Sequence, residues 1–230
     1  MREPGTLTDI PTNRREFLQG VGGVTLVIGS SGLLGACTEE QAARIIEDES
    51  TLTPNIWVRI GSDDTITIQF PATEMGQGSS TSLPVILADE MDADWEKVIV
   101  ETVAVHDTAY GNPYSQDMLY TAGSLTVQAY FERLRRAGGQ ARKLLMQAAA
   151  ERWEVPAAEL ETEPSVVLHP PSGRRLSYGE IAAFARIPEA VPTLEDAELK
   201  PFGAHRYMGT DIPRRDMAAK SASPTTTTTP

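Results

Sequence analysis

Two short segments near residue 60 alternate apolar and polar residues, and this alternation predicts a β-hairpin. Every second residue is apolar in NIWVRI (55–60) and in TITIQF (65–70), which is the period of a strand with one buried face. The four residues between them, GSDD (61–64), have the composition of a tight turn. The predicted buried face consists of Ile56, Val58, Ile60, Ile66, Ile68 and Phe70.

A helix and a third strand are predicted directly after this hairpin. Pro84 lacks the backbone N–H that an interior helical position needs, so the helix is expected to begin between Ser79 and Thr81. The stretch EMGQG (74–78) then forms a glycine-rich loop between strand and helix, and KVIVETVAV (97–105) predicts the next strand. The helical spacing is carried by Leu83, Ile86, Leu87 and Met91.

The central part of the chain predicts one long helix. It follows an aperiodic loop (106–124) and extends from Ser124, as N-cap, to about Trp153. Gly138 and Gly139 lie in mid-helix, where each costs about 1 kcal/mol relative to alanine, so another backbone is expected to approach closely there. The predicted apolar seam comprises Val127, Phe131, Leu134, Gly138, Ala141, Leu145 and Ala148. The basic residues assigned to the solvent face are Arg133, Arg135, Arg136, Arg142 and Lys143.

The last third of the chain predicts a second hairpin and then loses its periodicity. The hairpin is SVVLHPPSGRRLSY (165–178), and Ser177 with Glu180 forms a capping box for a short helix extending to about Arg186. Residues 188–220 are punctuated by proline without a sustained period, and SASPTTTTTP (221–230) is a low-complexity tail. Strands and helices in this arrangement predict an α+β fold.

The first 37 residues have the pattern of an export signal. Arg14 and Arg15 precede an uncharged stretch (20–36), and the arrangement NRREFL (13–18) closely resembles a twin-arginine signal. This predicts an exported, periplasmic protein, with residues 38–54 as a polar spacer. Cys37 ends the sequence LGAC (34–37), which leaves two interpretations open: a lipidation site that tethers the chain to a membrane, or a small residue in an uncleaved signal anchor.

Composition and charge exclude several classes of function. The formal net charge of −12 argues against a nucleic-acid partner, which requires a basic face. Cys37 is the single cysteine, so this chain holds neither an internal disulfide nor an iron–sulfur cluster. Three widely spaced histidines do not have metal-ligand spacing, and no metal bound directly by protein side chains is expected.

Four segments, in order, resemble a known family of cofactor-binding subunits. They are EMGQGSSTSLPVILADEMDADWEKV (74–98), TAGSLTVQAYFERLRRAGGQARKLLMQAAAERWEV (121–155), VVLHPPSGRRLSYGEIA (166–182) and MGTDIPRRDMAAK (208–220). This order is similar to the N-terminal part of the large, molybdopterin-binding subunit of the xanthine dehydrogenase and aldehyde oxidase family. The most similar branch contains exported bacterial isoquinoline 1-oxidoreductase beta subunits and membrane-associated aldehyde dehydrogenases.

The resemblance implies a cofactor, partners and a reaction. The cofactor would be the molybdenum–molybdopterin cytosine dinucleotide, held by an α+β domain of which residues 55–187 would be a portion. A small 2Fe–2S subunit would receive the electrons, and a cytochrome is a candidate acceptor beyond it. The reaction would be hydroxylation of a small aldehyde or N-heterocycle, with a glutamate general base that lies late in the full-length subunit.

Carried over residue by residue, the resemblance implies two cofactor-binding loops. Gln77 matches a glutamine whose side chain meets the pterin, and Gly76 and Gly78 let the backbone approach it. The second loop matches a Thr-Gly-Gly-Ser segment at Thr121, Gly123 and Ser124, and this chain departs from that pattern at Ala122. Glu74 has no expected catalytic role and is interpreted as a solvated loop carboxylate.

The resemblance also implies that the chain is incomplete. The family's large subunit is about three times as long, and no residue of this chain matches its catalytic glutamate. We therefore expect a truncated product or fragment, inactive alone, in which residues 188–220 connect toward a missing domain. The alternative is an exported stand-alone binding module or lipoprotein without catalysis.

Overall fold

A computed structural model describes residues 51–104, 107–188 and 192–217 of the chain. All of them belong to the compact unit formed by residues 47–230. Within these ranges there are one mixed sheet, one antiparallel sheet and three α-helices, which confirms the predicted α+β class. The predicted export signal, with Arg14, Arg15 and Cys37, lies outside the described residues, and so does the tail.

The first sheet has four strands in the order β1-β2-β3-β4. They are β1 (Thr51–Asn55), β2 (Val58–Gly61), β3 (Ile66–Phe70) and β4 (Val98–Thr102). The β2–β3 hairpin is antiparallel, as predicted, and pairs Val58 with Ile68. β4 pairs in parallel with β3, so the helix between them is the crossover of a βαβ unit.

The beginning of this sheet corrects the predicted first strand. Residues 55–60 do not form one strand, because the Asn55 side chain accepts a hydrogen bond from the Trp57 N–H (3.0 Å) and turns the backbone there. Ile56 therefore lies in the turn and is 43% exposed, whereas Val58 and Ile60 are fully buried. The last residues of the predicted spacer, from Thr51, belong to β1.

Helix α1 (Ser79–Met91) begins where the sequence predicts, directly after Gly78. It is buried on nearly all sides, and its buried residues include Asp89 and Glu90 as well as the apolar ones. Pro84 lies in its second turn. A helix buried all round is the central element of a core, and here it packs between the first sheet and the long helix α2 (Thr126–Trp153).

The long helix confirms its predicted end and corrects its beginning. Ser124 is not the N-cap; Leu125 occupies that position without a side-chain capping bond, and Ser124 has a left-handed backbone (φ 57°). Within the predicted seam, Leu134, Gly138, Ala141 and Leu145 are buried, which confirms its central part. Val127 is 42% exposed, and Phe131 and Ala148 are only partly buried. The helix also buries Tyr130, Ala137, Leu144 and Ala149.

Gly138 lies at the crossing of α1 and α2, which confirms the predicted close approach. A Cβ at this position would lie 2.5 Å from the carbonyl oxygen of Leu87. At Gly139 a Cβ would meet a side chain instead, 2.7 Å from Leu194. Gly138 therefore allows contact with the backbone of α1, and Gly139 allows contact with the Leu194 side chain.

A second sheet, β5-β6-β7, is larger than the predicted hairpin. β6 (Val166–His169) and β7 (Arg174–Ser177) form that hairpin, and β5 (Glu161–Glu163) adds a strand that the sequence pattern did not indicate. Ser177 and Glu180 make both hydrogen bonds of the predicted capping box. Helix α3 (Tyr178–Ala182) ends four residues before the predicted Arg186.

The segment 192–217, here called the strap, lies within the predicted connector (188–220). It carries two short 3-10 turns (Asp196–Glu198 and Phe202–Ala204) and packs along α1 and α2. Four of the five basic residues predicted to face solvent donate hydrogen bonds to the strap instead. Arg136 donates to the Leu194 carbonyl and to the Asp196 carboxylate. Arg135 donates to the carbonyl of Lys200, Arg142 to that of Glu198 and Lys143 to that of Thr193. The fifth, Arg133, donates to the Gly111 carbonyl and pairs with Asp117 in the loop before α2.

None of the helices in the described ranges combines the length and the apolar character that crossing a bilayer requires.

Candidate functional site

The glycine-rich loop joins the end of β3 to α1 through two left-handed residues. Gly76 has φ 106° and Gly78 has φ 83°, values that favour glycine because a Cβ would be strained there. Gly78 is the N-cap of α1, and its carbonyl accepts from the N–H groups of Thr81 (3.1 Å) and Ser82 (3.0 Å). Apart from Gly76 and its two chain neighbours, no atom of the described residues lies within 4 Å of a Cβ built on Gly76, so the outer face of the loop is open to that extent.

Glu74 holds this loop together from inside, which corrects its interpretation as a solvated carboxylate. Its Oε1 accepts from the N–H groups of Gly76 (2.8 Å) and Gly78 (3.0 Å), and its Oε2 accepts from the N–H of Ser80 (2.8 Å). The side chain is 15% exposed. The N-terminus of α1, a natural binding site for anions, is thus occupied by a carboxylate of the chain itself.

The low pKa of Glu74 shows that its hydrogen bonds stabilise the ionised carboxylate. Partial burial by itself raises the pKa, but the backbone N–H groups of Ser80, Gly78 and Gly76 outweigh it and lower the pKa from 4.5 to about 2. Glu74 is therefore a permanent anion at neutral pH. A carboxylate this acidic does not serve as a general base near pH 7.

Gln77, the residue predicted to meet the cofactor, is exposed but has its amide engaged by its own loop. Its Oε1 accepts from the Met75 N–H (2.6 Å), and its Nε2 donates to the Thr73 carbonyl (2.7 Å) and to Ser79 Oγ (2.8 Å). Both amide hydrogens are used, which leaves one lone pair on Oε1 for a ligand. The loop thus fixes the orientation of the side chain before anything binds.

The second predicted loop lies beside the first and is linked to it by one hydrogen bond. Thr121 Oγ1 accepts from the Thr73 N–H at 3.0 Å, across 48 positions of sequence. Gly123 follows in a left-handed conformation (φ 66°) and is exposed together with Ser124. The structure therefore brings Thr121 to the glycine-rich loop, whereas Gly123 and Ser124 have no described contact with it.

Arg214 is a residue of this site that the sequence analysis did not identify. Its Nη1 donates to the Gly76 carbonyl (2.7 Å), and its Nη2 lies 3.4 Å from Glu74 Oε1. The IPRRD segment (212–216) contributed to the family resemblance, but no periodicity or spacing relates it to a loop 138 residues earlier. Only the path of the strap brings the two together.

A groove of about 430 Å³ begins at Gly78 and continues between α1, the start of α2 and the strap. The polar residues that line it include Thr81, Asp211 and Arg214. The apolar part of its wall consists of Val85, Ile86, Val127, Phe131, Met208 and Ile212. This position explains why Val127 and Phe131 are not part of the buried face of α2.

Two curated proteins are similar to nearly the whole of this chain. It is 39% identical over 223 residues to the isoquinoline 1-oxidoreductase subunit beta of Brevundimonas diminuta, covering 96% of this chain and 28% of that protein. It is 29% identical over 212 residues to the membrane-bound aldehyde dehydrogenase (pyrroloquinoline-quinone) of Gluconacetobacter polyoxogenes, covering 91% of this chain and 26% of that protein. The chain thus spans about a quarter of the length of these relatives.

Among solved structures, quinoline 2-oxidoreductase from Pseudomonas putida 86 gives a TM-score of 0.44 at 19% identity, over 55% of this chain and 15% of that one. A superposition at this level is local, and the family assignment rests on sequence. The sequence model of the molybdopterin cofactor-binding domain family matches residues 10–226, which is almost the entire chain. By that match, this chain belongs to the molybdopterin cofactor-binding domain family.

Proposed function

We propose that the chain forms the N-terminal, cofactor-facing portion of a molybdenum hydroxylase large subunit that oxidises aldehydes or N-heterocycles. The observation that carries the proposal is that Thr73 contacts both loops that the resemblance assigns to the cofactor. Its N–H donates to Thr121 Oγ1, and its carbonyl accepts from Gln77 Nε2. Family membership over residues 10–226 and 39% identity to an isoquinoline 1-oxidoreductase subunit support it.

The residues present fit one edge of a molybdopterin rather than a complete site. The open outer face at Gly76 lets a flat ligand approach the backbone, and Gln77 offers a pre-oriented amide oxygen. Because Glu74 occupies the N-terminus of α1, this loop suits a neutral polar edge of the ligand better than a phosphate. The residues that would hold the cofactor are Gly76, Gln77, Gly78, Thr121, Gly123 and Ser124.

The bound cofactor, which we assign as the cytosine dinucleotide form, would supply the two-electron oxidation of the substrate carbon. Water would provide the added oxygen, so that R–H and water give R–OH, two protons and two electrons. A 2Fe–2S small subunit would take the electrons, and a cytochrome is a candidate acceptor after it. No described residue of this chain is assigned as the catalytic base, because Glu74 is committed to its loop.

The proposal includes export. The twin-arginine resemblance at Arg14 and Arg15 supports a periplasmic location, and Cys37 is the candidate position for a lipid that would tether the protein to a membrane. Export in the folded state would require the cofactor to be inserted first, which agrees with a protein built around a prosthetic group.

A chimaera tests the proposed function directly. This chain replaces the matching quarter of the Brevundimonas isoquinoline 1-oxidoreductase subunit beta, which is then produced with its partner subunits. We expect molybdenum and pterin contents close to those of the parent protein, and oxidation of isoquinoline. A Gln77→Ala chimaera is the matched variant and is expected to contain less cofactor.

A chimaera that folds and assembles but contains neither molybdenum nor pterin would overturn the proposal. The chain would then be a binding module that kept the fold without the cofactor site.

A further inference from the structure

The end of the strap reaches back to the glycine-rich loop and contacts Gly76, whose N–H and carbonyl are both hydrogen-bonded. The N–H of Gly76 donates to Glu74, and the carbonyl of Gly76 accepts from Arg214 Nη1 at 2.7 Å. Gly76 is the most conformationally free type of residue and has no side chain to anchor it. Its two hydrogen bonds therefore fix a backbone position that the sequence of the loop leaves free.

Arg214 is itself held in place for this contact. Its Nε and Nη2 donate to the two carboxylate oxygens of Asp216, at 3.0 and 2.7 Å, in the forked geometry that a guanidinium allows and an ammonium does not. Nη2 also lies 3.4 Å from Glu74 Oε1. Arg214 thus links a carboxylate of the strap, a carboxylate of the loop and the Gly76 carbonyl.

The strap is anchored on α1 a short distance before Arg214. Asp89 is completely buried, and its carboxylate accepts from the consecutive N–H groups of Arg206 (2.7 Å), Tyr207 (3.1 Å) and Met208 (2.8 Å). Lys200 is also buried and donates from Nζ to the Asp89 carbonyl at 2.7 Å. These buried contacts anchor the strap on α1 six residues before Arg214.

We propose that Arg214 is a positioning residue, through which the strap holds the Gly76–Gly78 loop in the conformation that receives the cofactor. The inference rests on the proposed function and adds to it a residue from outside both cofactor loops. Holding the loop before binding removes the ordering cost that a free glycine loop would add to cofactor binding. Arg214 would act through the loop and would not touch the cofactor.

Amide hydrogen exchange in the full chain tests the positioning role without any cofactor. In Arg214→Ala, the amides of Gly76, Gly78 and Ser80 should exchange roughly tenfold to a hundredfold faster, the change expected when a hydrogen bond to a charged group is lost. The matched control is Arg175→Ala, which removes an exposed arginine paired with Glu163 in the second sheet and should leave this exchange unchanged. Equal exchange in wild type and folded Arg214→Ala would overturn the proposal.

Two further variants keep the test decisive. Arg214→Lys restores the charge but not the fork, so its exchange should lie between those of wild type and Arg214→Ala; protection equal to wild type would contradict the forked contact. If Arg214→Ala does not fold, Asp216→Asn removes the charge that orients the guanidinium and should give a smaller acceleration confined to the same amides. Unchanged exchange in that variant would also count against the proposal.

The chimaera separates this inference from the proposed function. If the parent chimaera binds molybdenum, its Arg214→Ala form should lose most of the metal, whereas its Arg175→Ala form should retain it. If the parent chimaera binds none, the proposed function fails, and the exchange measurements still decide whether Arg214 holds the loop.

Discussion

At the residue scale, Glu74 places a carboxylate at the N-terminus of α1, where it accepts from the N–H groups of Gly76 and Gly78 in the loop and of Ser80 in the first turn. The same helix end would otherwise attract an anion from solution or from a ligand. Glu74 occupies this helix end, which fixes the shape of the loop and neutralises the positive end of the helix dipole. Because Glu74 already uses these N–H groups, they are not available to a ligand of the loop.

Glu74→Gln should therefore destabilise the folded chain. The variant keeps the size of the side chain but turns one acceptor into a donor that faces N–H donors, so we expect a loss of about 1–2 kcal/mol in the free energy of unfolding. Urea unfolding at pH 7 measures it. Glu163→Gln is the control, because that carboxylate is 49% exposed in a surface ion pair and should change stability by less than about 0.5 kcal/mol.

The destabilisation caused by Glu74→Gln should become smaller as the pH falls below 4.5. The pKa of Glu74 falls from 4.5 to about 2 on folding, so its ionised form stabilises the folded state. That contribution is fully present above pH 4.5 and is lost as the pH falls toward about 2. The difference between wild type and Glu74→Gln should thus stay constant from pH 7 to 5 and shrink below; a difference that grows on acidification would contradict the assignment.

At the element scale, the strap depends on α1 for its path, and α1 depends on the strap for the partners of its buried charges. Asp89 and Glu90 are fully buried, and their partners include the backbone N–H groups of Lys200, Arg206, Tyr207 and Met208. Buried carboxylates without partners are strongly unfavourable. Within residues 192–217 the chain forms only two 3-10 turns, and this irregular structure is integral to the fold.

Removing the strap tests this dependence. A chain ending at residue 191 should lose more than about 3 kcal/mol of stability, the cost of leaving a buried charge without its partner. A synthetic peptide of residues 192–217 should restore the thermal unfolding temperature when added in excess, and a peptide of scrambled sequence should not. A shortened chain that melts with wild-type stability would show that the strap is dispensable.

At the scale of the whole molecule, we propose that the chain provides one wall of a larger site. It covers 28% and 26% of the two relatives described above, and the two loops proposed to hold the cofactor adjoin exposed apolar residues. Met75 is 69% exposed, and Tyr120 and Leu125 are about half and two-fifths exposed. We propose that other protein covers these side chains when the site is complete.

Export is the prediction that belongs to this scale, because the twin-arginine route carries whole folded proteins. Replacing Arg14 and Arg15 by lysine should retain the chain inside the cell, whereas Arg2→Lys, outside the motif, should not. Fractionation and detection of the chain in the periplasm measure the result. Normal export of the double variant would remove the basis for the predicted localisation.

The sequence by itself determined the α+β class, the β2–β3 hairpin, the start of α1, the end of α2 and the capping box of α3, because periodicity, turn composition and capping act over a few residues. The resemblance assigned two loops to the cofactor, and that assignment stays a prediction. Only the tertiary structure decided which distant residues hold these loops: Thr121 lies against Thr73, and Arg214 arrives from the strap. Contacts between residues 48 and 138 positions apart depend on how the core packs, and no local pattern in the sequence encodes them.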